Sequence, residues 1–191
     1  PDRFAELYTV EPDFGDQRFK ENKARAKSWR EENAGLELLS FADHARIIGM
    51  RDAVRSHPLA QRYLAEGSAE VSMSWERCGM RCKGRLDWLS TSDAAIVDLK
   101  TTADITISRF QRQAANLDYH CQAAFYQNKH KRATGQLLLP FIVIAVESAA
   151  PHDVAVYRYD EDALVFGDGI VEELLRNLDY CRQKNDWPGL Y

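Results

Sequence analysis

The chain reads as an α/β (α+β) domain, a central mixed sheet flanked by helices, and three observations predict this class. Hydrophobic spacing changes from a helical period to a period of two at Ala69. The run from Ala94 to Lys100 is short and almost wholly apolar, as a central buried strand is. Helical patterning then returns at Ser108 and is followed by strand patterning and a last helix.

Taken in order, residues 16–34 read as a charged helix in which Phe19, Lys23, Ala26, Trp29 and Arg30 recur at helical spacing, with Gly35 as a stop. Ser40 caps a second helix, with Asp43 in a capping-box-like position and Ile47, Ile48, Met50 and Val54 as the apolar face. The break at His57-Pro58 lets Pro58 open a short helix through Leu64, ended by Gly67. Val71, Met73 and Trp75 then alternate with polar residues and predict a first strand. Met80, Cys82, Gly84, Leu86 and Trp88 alternate with Arg81, Lys83, Arg85 and Asp87 and predict a second. A turn over Ser90–Asp93 leads into the third strand, Ala94 to Lys100, and Thr101 to Thr106 is a loop. Ser108 to about Lys131 is helical with a break near Asp118. Its apolar set is Phe110, Ala114, Leu117, Cys121, Ala124 and Phe125, and Gly135 ends it. Leu137 to Val146 is a long apolar strand whose Pro140 points to an edge or a bulge. Val154 and Val156 mark another strand, and Asp160 to Lys184 a final helix carrying Leu164, Leu174, Leu175 and Leu178. No repeat, low-complexity segment or linker interrupts the chain, so residues 1–191 are expected to form a single domain.

Composition narrows the function classes. Of 191 residues, 45% are hydrophobic and 28% charged, ordinary for a globular protein, and no apolar run approaches the length of a membrane helix. No signal peptide is visible, so a cytoplasmic location without membrane contact is expected. Cys78, Cys82, Cys121 and Cys181 lack the spacing of a zinc knuckle or redox pair, and free thiols are expected. The net charge of −4 looks wrong for a nucleic-acid partner, but its distribution is uneven. Residues 76–135 carry 10 basic and 6 acidic groups, whereas residues 136–191 carry 4 and 10. The positive segment surrounds the only pattern in the chain that points firmly to a chemistry.

That pattern is Gly84-Arg85-Leu86-Asp87-Trp88 followed by Ile96-Val97-Asp98-Leu99-Lys100-Thr101-Thr102. On a strand Asp98 and Lys100 share a face while Leu99 points the other way, into the core, and Asp87 shares its face with Arg85 and Lys83. If the second and third strands are neighbours, Asp87 and Asp98 converge on one cation, with the Leu99 carbonyl as a further oxygen. Mg²⁺, or Mn²⁺ in its place, takes such hard oxygen donors together with waters and substrate phosphate. A lysine beside them can orient or help deprotonate the attacking water. Asp and Lys two apart also describe an ordinary surface ion pair. Favouring a metal site, Asp98 ends an apolar strand where a carboxylate needs a partner, and Gly84 admits close approach of a ligand or backbone.

With Tyr119-His120-Cys121-Gln122-Ala123-Ala124-Phe125-Tyr126 added, these motifs resemble the RecE (exonuclease VIII) nuclease family, and more widely phage-borne RecE-like nucleases of the PD-(D/E)XK superfamily. The resemblance runs from Pro1-Asp2-Arg3-Phe4 to Trp187-Pro188. It implies a restriction-endonuclease-like core with Asp87 and Asp98 as metal ligands and Lys100 as the catalytic lysine. Gln122 and Tyr126 match the Gln-x-x-x-Tyr helix motif that packs beside the site in RecB-like nucleases. Positions four apart share a helix face, and a buried hydrogen-bonded pair and a DNA-facing pair both fit. The activity implied is a Mg²⁺-dependent exodeoxyribonuclease on linear double-stranded DNA, running 5′ to 3′ and leaving 3′ overhangs for a RecT-like single-strand annealing protein in recombination. A homo-oligomeric ring, encoded by a phage or its bacterial host, is implied as well. The iron–sulfur cluster of some relatives is not expected, because the cysteine spacing does not match.

One departure stands out. The family carries a further histidine ligand ahead of a segment that Pro1-Asp2-Arg3-Phe4 resembles, so that ligand is expected just before Pro1, on an N-terminal helical segment expected to lie outside the 191 residues. His44 and His57 read as structural or surface residues, whereas His120, beside Gln122, can reach the site or DNA. Glu70, at the start of the first strand, is an acid placed to support the ligands, or a solvated strand-end carboxylate. Thr101, Thr102, Arg109 and Arg112 flank the site loop, and the two arginines suit phosphate contact. Arg85 lies beside Asp87. Lys129-His130-Lys131-Arg132 suits either phosphate or a solvated helix end. Two rivals stay open: an endonuclease or single-strand nuclease on the same fold, and an inactive DNA-binding module.

Overall fold

A computed structural model describes residues 2–134 and 138–189, with side chains for 4–127 and 138–189. The chain forms two compact units, Pro1–Arg51 and Asp52–Tyr191, the division falling within one helix.

The first unit holds α1 (Asp2–Leu7), β1 (Tyr8–Val10), α2 (Lys20–Glu32), β2 (Glu37–Leu39) and the start of α3 (Phe41–Ser56). β1 and β2 pair in parallel, and α2 is the crossover that parallel strands require. Three-residue strands are too short to show a period, which is why the sequence pattern does not announce them. α2 starts later than residue 16 because Asp16 accepts the Arg18 N–H at 2.9 Å and forms a local turn. Phe19 is therefore the exposed residue that precedes the helix and not part of an apolar face. Ser40 caps α3 as expected: Asp43 N–H donates to Ser40 Oγ at 3.0 Å, and Ser40 Oγ donates to Asp43 Oδ2 at 2.7 Å, a side-chain bond in the place of the second bond of a capping box.

The second unit begins within α3 and continues through α4 (Pro58–Leu64), which starts at Pro58 as read, with Ala60 N–H donating to His57 Nδ1 at 3.2 Å. Five strands follow: β3 (Gly67–Arg77), β4 (Met80–Ser90), β5 (Ala95–Thr102), β6 (Phe141–Glu147) and β7 (Val154–Arg158). They form one sheet in that order, antiparallel except for the parallel pair β5–β6. The β3–β4 hairpin turns on Cys78 and Gly79, both at positive φ, the combination a two-residue type I′ turn needs. Gly67 opens β3 instead of ending the preceding helix.

α5 (Ile107–Asn116) and α6 (Tyr119–Thr134) supply the crossover between β5 and β6, broken at Asp118, whose φ is +51°. Phe110 of α5 and Ala123 of α6 close onto Leu86, Ile96, Phe141, Val143 and Ala145 to make the core. Leu117 is exposed, because the break turns it out of the apolar face. Pro140 marks no edge: it precedes a central strand, where its missing N–H is not needed, and its carbonyl accepts the Ile96 N–H at 3.0 Å. α7 (Glu161–Lys184) is capped by Asp160, whose Oδ1 accepts the Ala163 N–H at 2.7 Å, and packs on α6. Leu174 lies on its solvent side, not in the core. Gly135, Leu137 and the Lys129–Arg132 side chains lie outside what is described. Among the described residues no helix is long and apolar enough to cross a membrane, and all four cysteines are free.

Candidate active site

The strand order brings the two acids together. β4 and β5 are antiparallel neighbours, but their pairing runs only from Ser90↔Ala95 to Trp88↔Val97. Beyond Val97 the edge of β5 that faces β4 is open. Ile96 N–H and the Thr102 carbonyl both bond on the β6 side, to Pro140 O and Ser148 N. Backbone direction alternates along a strand, so the N–H and C=O of Leu99 face the open edge. The Asp87 carboxylate fills that position, with Oδ2 accepting the Leu99 N–H at 2.9 Å. Asp87 thus reaches along the sheet toward β5, not outward with Arg85 and Lys83. Leu99 is 49% exposed, not buried in the core, because β4 has already diverged at this point.

Asp98 lies on the opposite side of the strand backbone from Leu99, under α6, and is only 3% exposed. Lys100 Nζ stands 2.7 Å from Asp98 Oδ2, donates to Gln122 Oε1 at 3.1 Å, and sits 4.8 Å from the centroid of the Tyr119 ring. The ammonium approaches Asp98 off the hydrogen-bond direction, so Oδ2 keeps an ion pair but no aligned hydrogen bond. Among the described residues, Asp98 Oδ2 and the Tyr159 hydroxyl are buried side-chain atoms without a hydrogen bond. Burial pushes the Asp98 carboxyl above its ordinary range; Lys100 opposes the shift and the nearby Asp87 charge adds to it. The Tyr159 phenol is raised as well, by burial first and then by Asp98.

The donor chemistry fits a hard divalent cation. Two carboxylates and a strand-edge carbonyl offer oxygen only, and the buried Asp98 carboxylate, paired with Lys100, is a hard donor suited to such an ion.

The remaining expected residues divide. Gln122 is at the site through Lys100. Tyr126, partly buried, packs against the core and explains Gly84: a Cβ there would lie 2.5 Å from Tyr126 Cε1, so the glycine makes room for this ring. The Glu70 carboxylate pairs with Arg85 at 2.7 Å, which directs both charges to each other at the surface. Thr102 is buried, donating from Oγ1 to Gln113 Oε1 at 2.7 Å, while Thr101 is exposed. Arg109 and Arg112 line an open groove of about 470 Å³ with Thr102, Asp104 and Gln113. His120 stacks on Phe166 and lies 3.6 Å from Cys121 Sγ, and His44 packs against Phe4. Tyr119 is a site residue the sequence reading passed over, and its spacing of three from Gln122 was the available signal.

Comparison with known proteins bears on the family and the fold. Residues 3–190 match the model of a family described as a PDDEXK-like domain of unknown function (DUF3799). The crystal structure of a Eubacterium rectale protein assigned as an exonuclease superposes with a TM-score of 0.65 at 20% identity, over 90% of this chain and 65% of that one. The chain therefore spans less than two thirds of that structure, and the likeness concerns the fold. A second structure, SSO0001, reaches a TM-score of 0.38 at 13% identity over 88% of this chain and 76% of that one, too low to carry an argument. No curated protein matches.

Proposed function

The chain belongs to the PDDEXK-like DUF3799 family, within the PD-(D/E)XK nuclease superfamily, and from that premise we propose that it is a divalent-metal-dependent deoxyribonuclease that degrades linear double-stranded DNA. One observation carries the reading: the Asp87 carboxylate bonds the Leu99 N–H, its charge acts on the neighbouring Asp98, and Asp98 pairs with Lys100. In this reading Asp87 and Asp98 hold Mg²⁺ or Mn²⁺ with the Leu99 carbonyl. The ion, when bound, supplies charge stabilisation on the phosphate and a more acidic water.

The protein groups do the rest. Besides Asp98, Gln122 and the Tyr119 ring hold the Lys100 ammonium, and would keep it in place if Asp98 served an ion. There Lys100 orients the attacking water and meets the negative charge that develops on the phosphoryl oxygens. Water adds to phosphorus in line as the bond to the 3′ oxygen breaks; a water proton ends on the departing oxygen, leaving a 3′-hydroxyl and a 5′-phosphate. Arg109 and Arg112, on the groove next to the site loop, are placed to hold the DNA backbone. The 5′ to 3′ polarity, supply of 3′ overhangs to an annealing protein in recombination, and assembly as a ring belong to this proposal through the resemblance to RecE-like nucleases. So do a phage or bacterial origin and a cytoplasmic setting.

The test is digestion of end-labelled linear duplex and of a covalently closed circle in Mg²⁺, by wild-type protein and Asp98→Ala. Loss of the linear duplex alone, abolished by Asp98→Ala, is expected. Equal attack on the circle would replace the exonuclease with an endonuclease. Cleavage unchanged by Asp98→Ala would remove the site assignment, and binding without turnover would leave a DNA-binding module.

A further inference from the structure

Resting on the metal-site reading, a second question is what turns Asp87 toward β5. In a regular antiparallel ladder Glu70 would face Asp87. The β3–β4 register runs from Gly67↔Ser90 to Arg77↔Met80 without a shift, and Glu70↔Asp87 is the one pair missing from it. Glu70 has φ +55°, a left-handed backbone that a non-glycine residue adopts at the expense of strain. The facing of β4 changes at the same place. Leu86 and Leu89, three apart, both pack on the core, although alternation would put them on opposite faces. The pleat is therefore interrupted at Asp87 and Trp88, directly across from the strained residue. The Glu70 carboxylate takes no part in this, since it pairs with Arg85.

We propose that Glu70 is a positioning residue that acts through its backbone: its left-handed conformation interrupts the β3–β4 pleat and turns the Asp87 carboxylate into the open edge of β5, where Leu99 N–H holds it for the cation. The strain is local and serves the site, while the side-chain charge is dispensable. A residue that accepts positive φ preserves the device. A β-branched residue, for which positive φ is a severe outlier, restores regular pairing and swings Asp87 out of the edge.

The experiment compares Glu70→Gly and Glu70→Asn with Glu70→Val in the full chain. The first readout is metal-free: hydrogen exchange of the Leu99 amide by NMR. Exchange within about twofold of wild type is expected for Gly and Asn, and about tenfold faster for Val, the loss of one hydrogen bond. The second readout is Mn²⁺ binding by calorimetry, expected to be retained by Gly and Asn and weakened about tenfold or more by Val. Should Val fail to fold, the Gly and Asn variants decide, because loss of Leu99 protection in both makes the carboxylate the working part and overturns the proposal. Val with wild-type exchange overturns it too. Wild-type protein that binds no Mn²⁺ yet shows the expected exchange pattern bears out the positioning and places the failure on the nuclease reading.

Discussion

At the residue scale, Asp98 and Lys100 carry opposite predictions. Asp98 is a carboxylate that burial holds above its ordinary range. A raised folded-state value means that the folded chain binds the proton more tightly than the unfolded chain. Without metal, the Asp98 contribution to stability is therefore most favourable below the unfolded value and is lost as pH rises from there through the raised folded value, against the opposite slope of Asp43 and Asp104, whose partners hold them low. Denaturation of wild type and Asp98→Asn in EDTA across that window checks the sign: the stability difference in favour of Asp98→Asn is expected to grow as pH rises, and the variant to end divalent-ion binding. A wild-type profile with the same slope as Asp98→Asn would contradict the burial argument. Lys100→Ala is expected to lower cleavage by about 10²–10³-fold with Mn²⁺ affinity retained, the signature of a group needed for charge developing in the reaction. Parallel loss of ion binding would reassign Lys100 to a structural role.

At the element scale, the sheet is held to its helices by two contacts that can be tested apart from catalysis. Gly84→Ala places a methyl group against Tyr126 and is expected to destabilise by about 1–3 kcal/mol, with partial recovery in Gly84→Ala/Tyr126→Leu. Arg77, 5% exposed at the end of β3, donates to Asp168 Oδ1 of α7 at 2.6 Å and lies 3.6 Å from Glu172. Arg77→Met is expected to lower unfolding free energy by about 2 kcal/mol and leave cleavage intact, measured by urea denaturation beside the nuclease assay. The sequence showed most elements of the second unit because their periods are clean: the Pro58 helix, the β3–β4 alternation and the apolar β5. It concealed what depends on pairing. That Leu99 is exposed follows from where β4 leaves β5, and that Gly84 serves Tyr126 follows from how α6 crosses the sheet. Neither leaves a trace in spacing. The exposure of Leu174 and Leu117 is of the same kind, since a helix period fixes a face but not what covers it.

At the scale of the whole molecule, a sheet that is antiparallel on one side and parallel at β5–β6 explains why the site lies where it does. The parallel step forces a crossover, the crossover lays α6 over β5, and Gln122 and Tyr119 arrive above Lys100. The acids and the lysine were legible from two short motifs. The route by which Asp87 reaches β5 was not, because it rests on a broken pleat across from Glu70. The measurement that bears most directly on the central claim is anomalous diffraction from crystals grown with Mn²⁺. An ion is expected about 2.0–2.2 Å from one oxygen each of Asp87 and Asp98 and from the Leu99 carbonyl, with Lys100 released from Asp98. Crystals at saturating Mn²⁺ with no ion at that edge, and Asp98 still paired to Lys100, would contradict it.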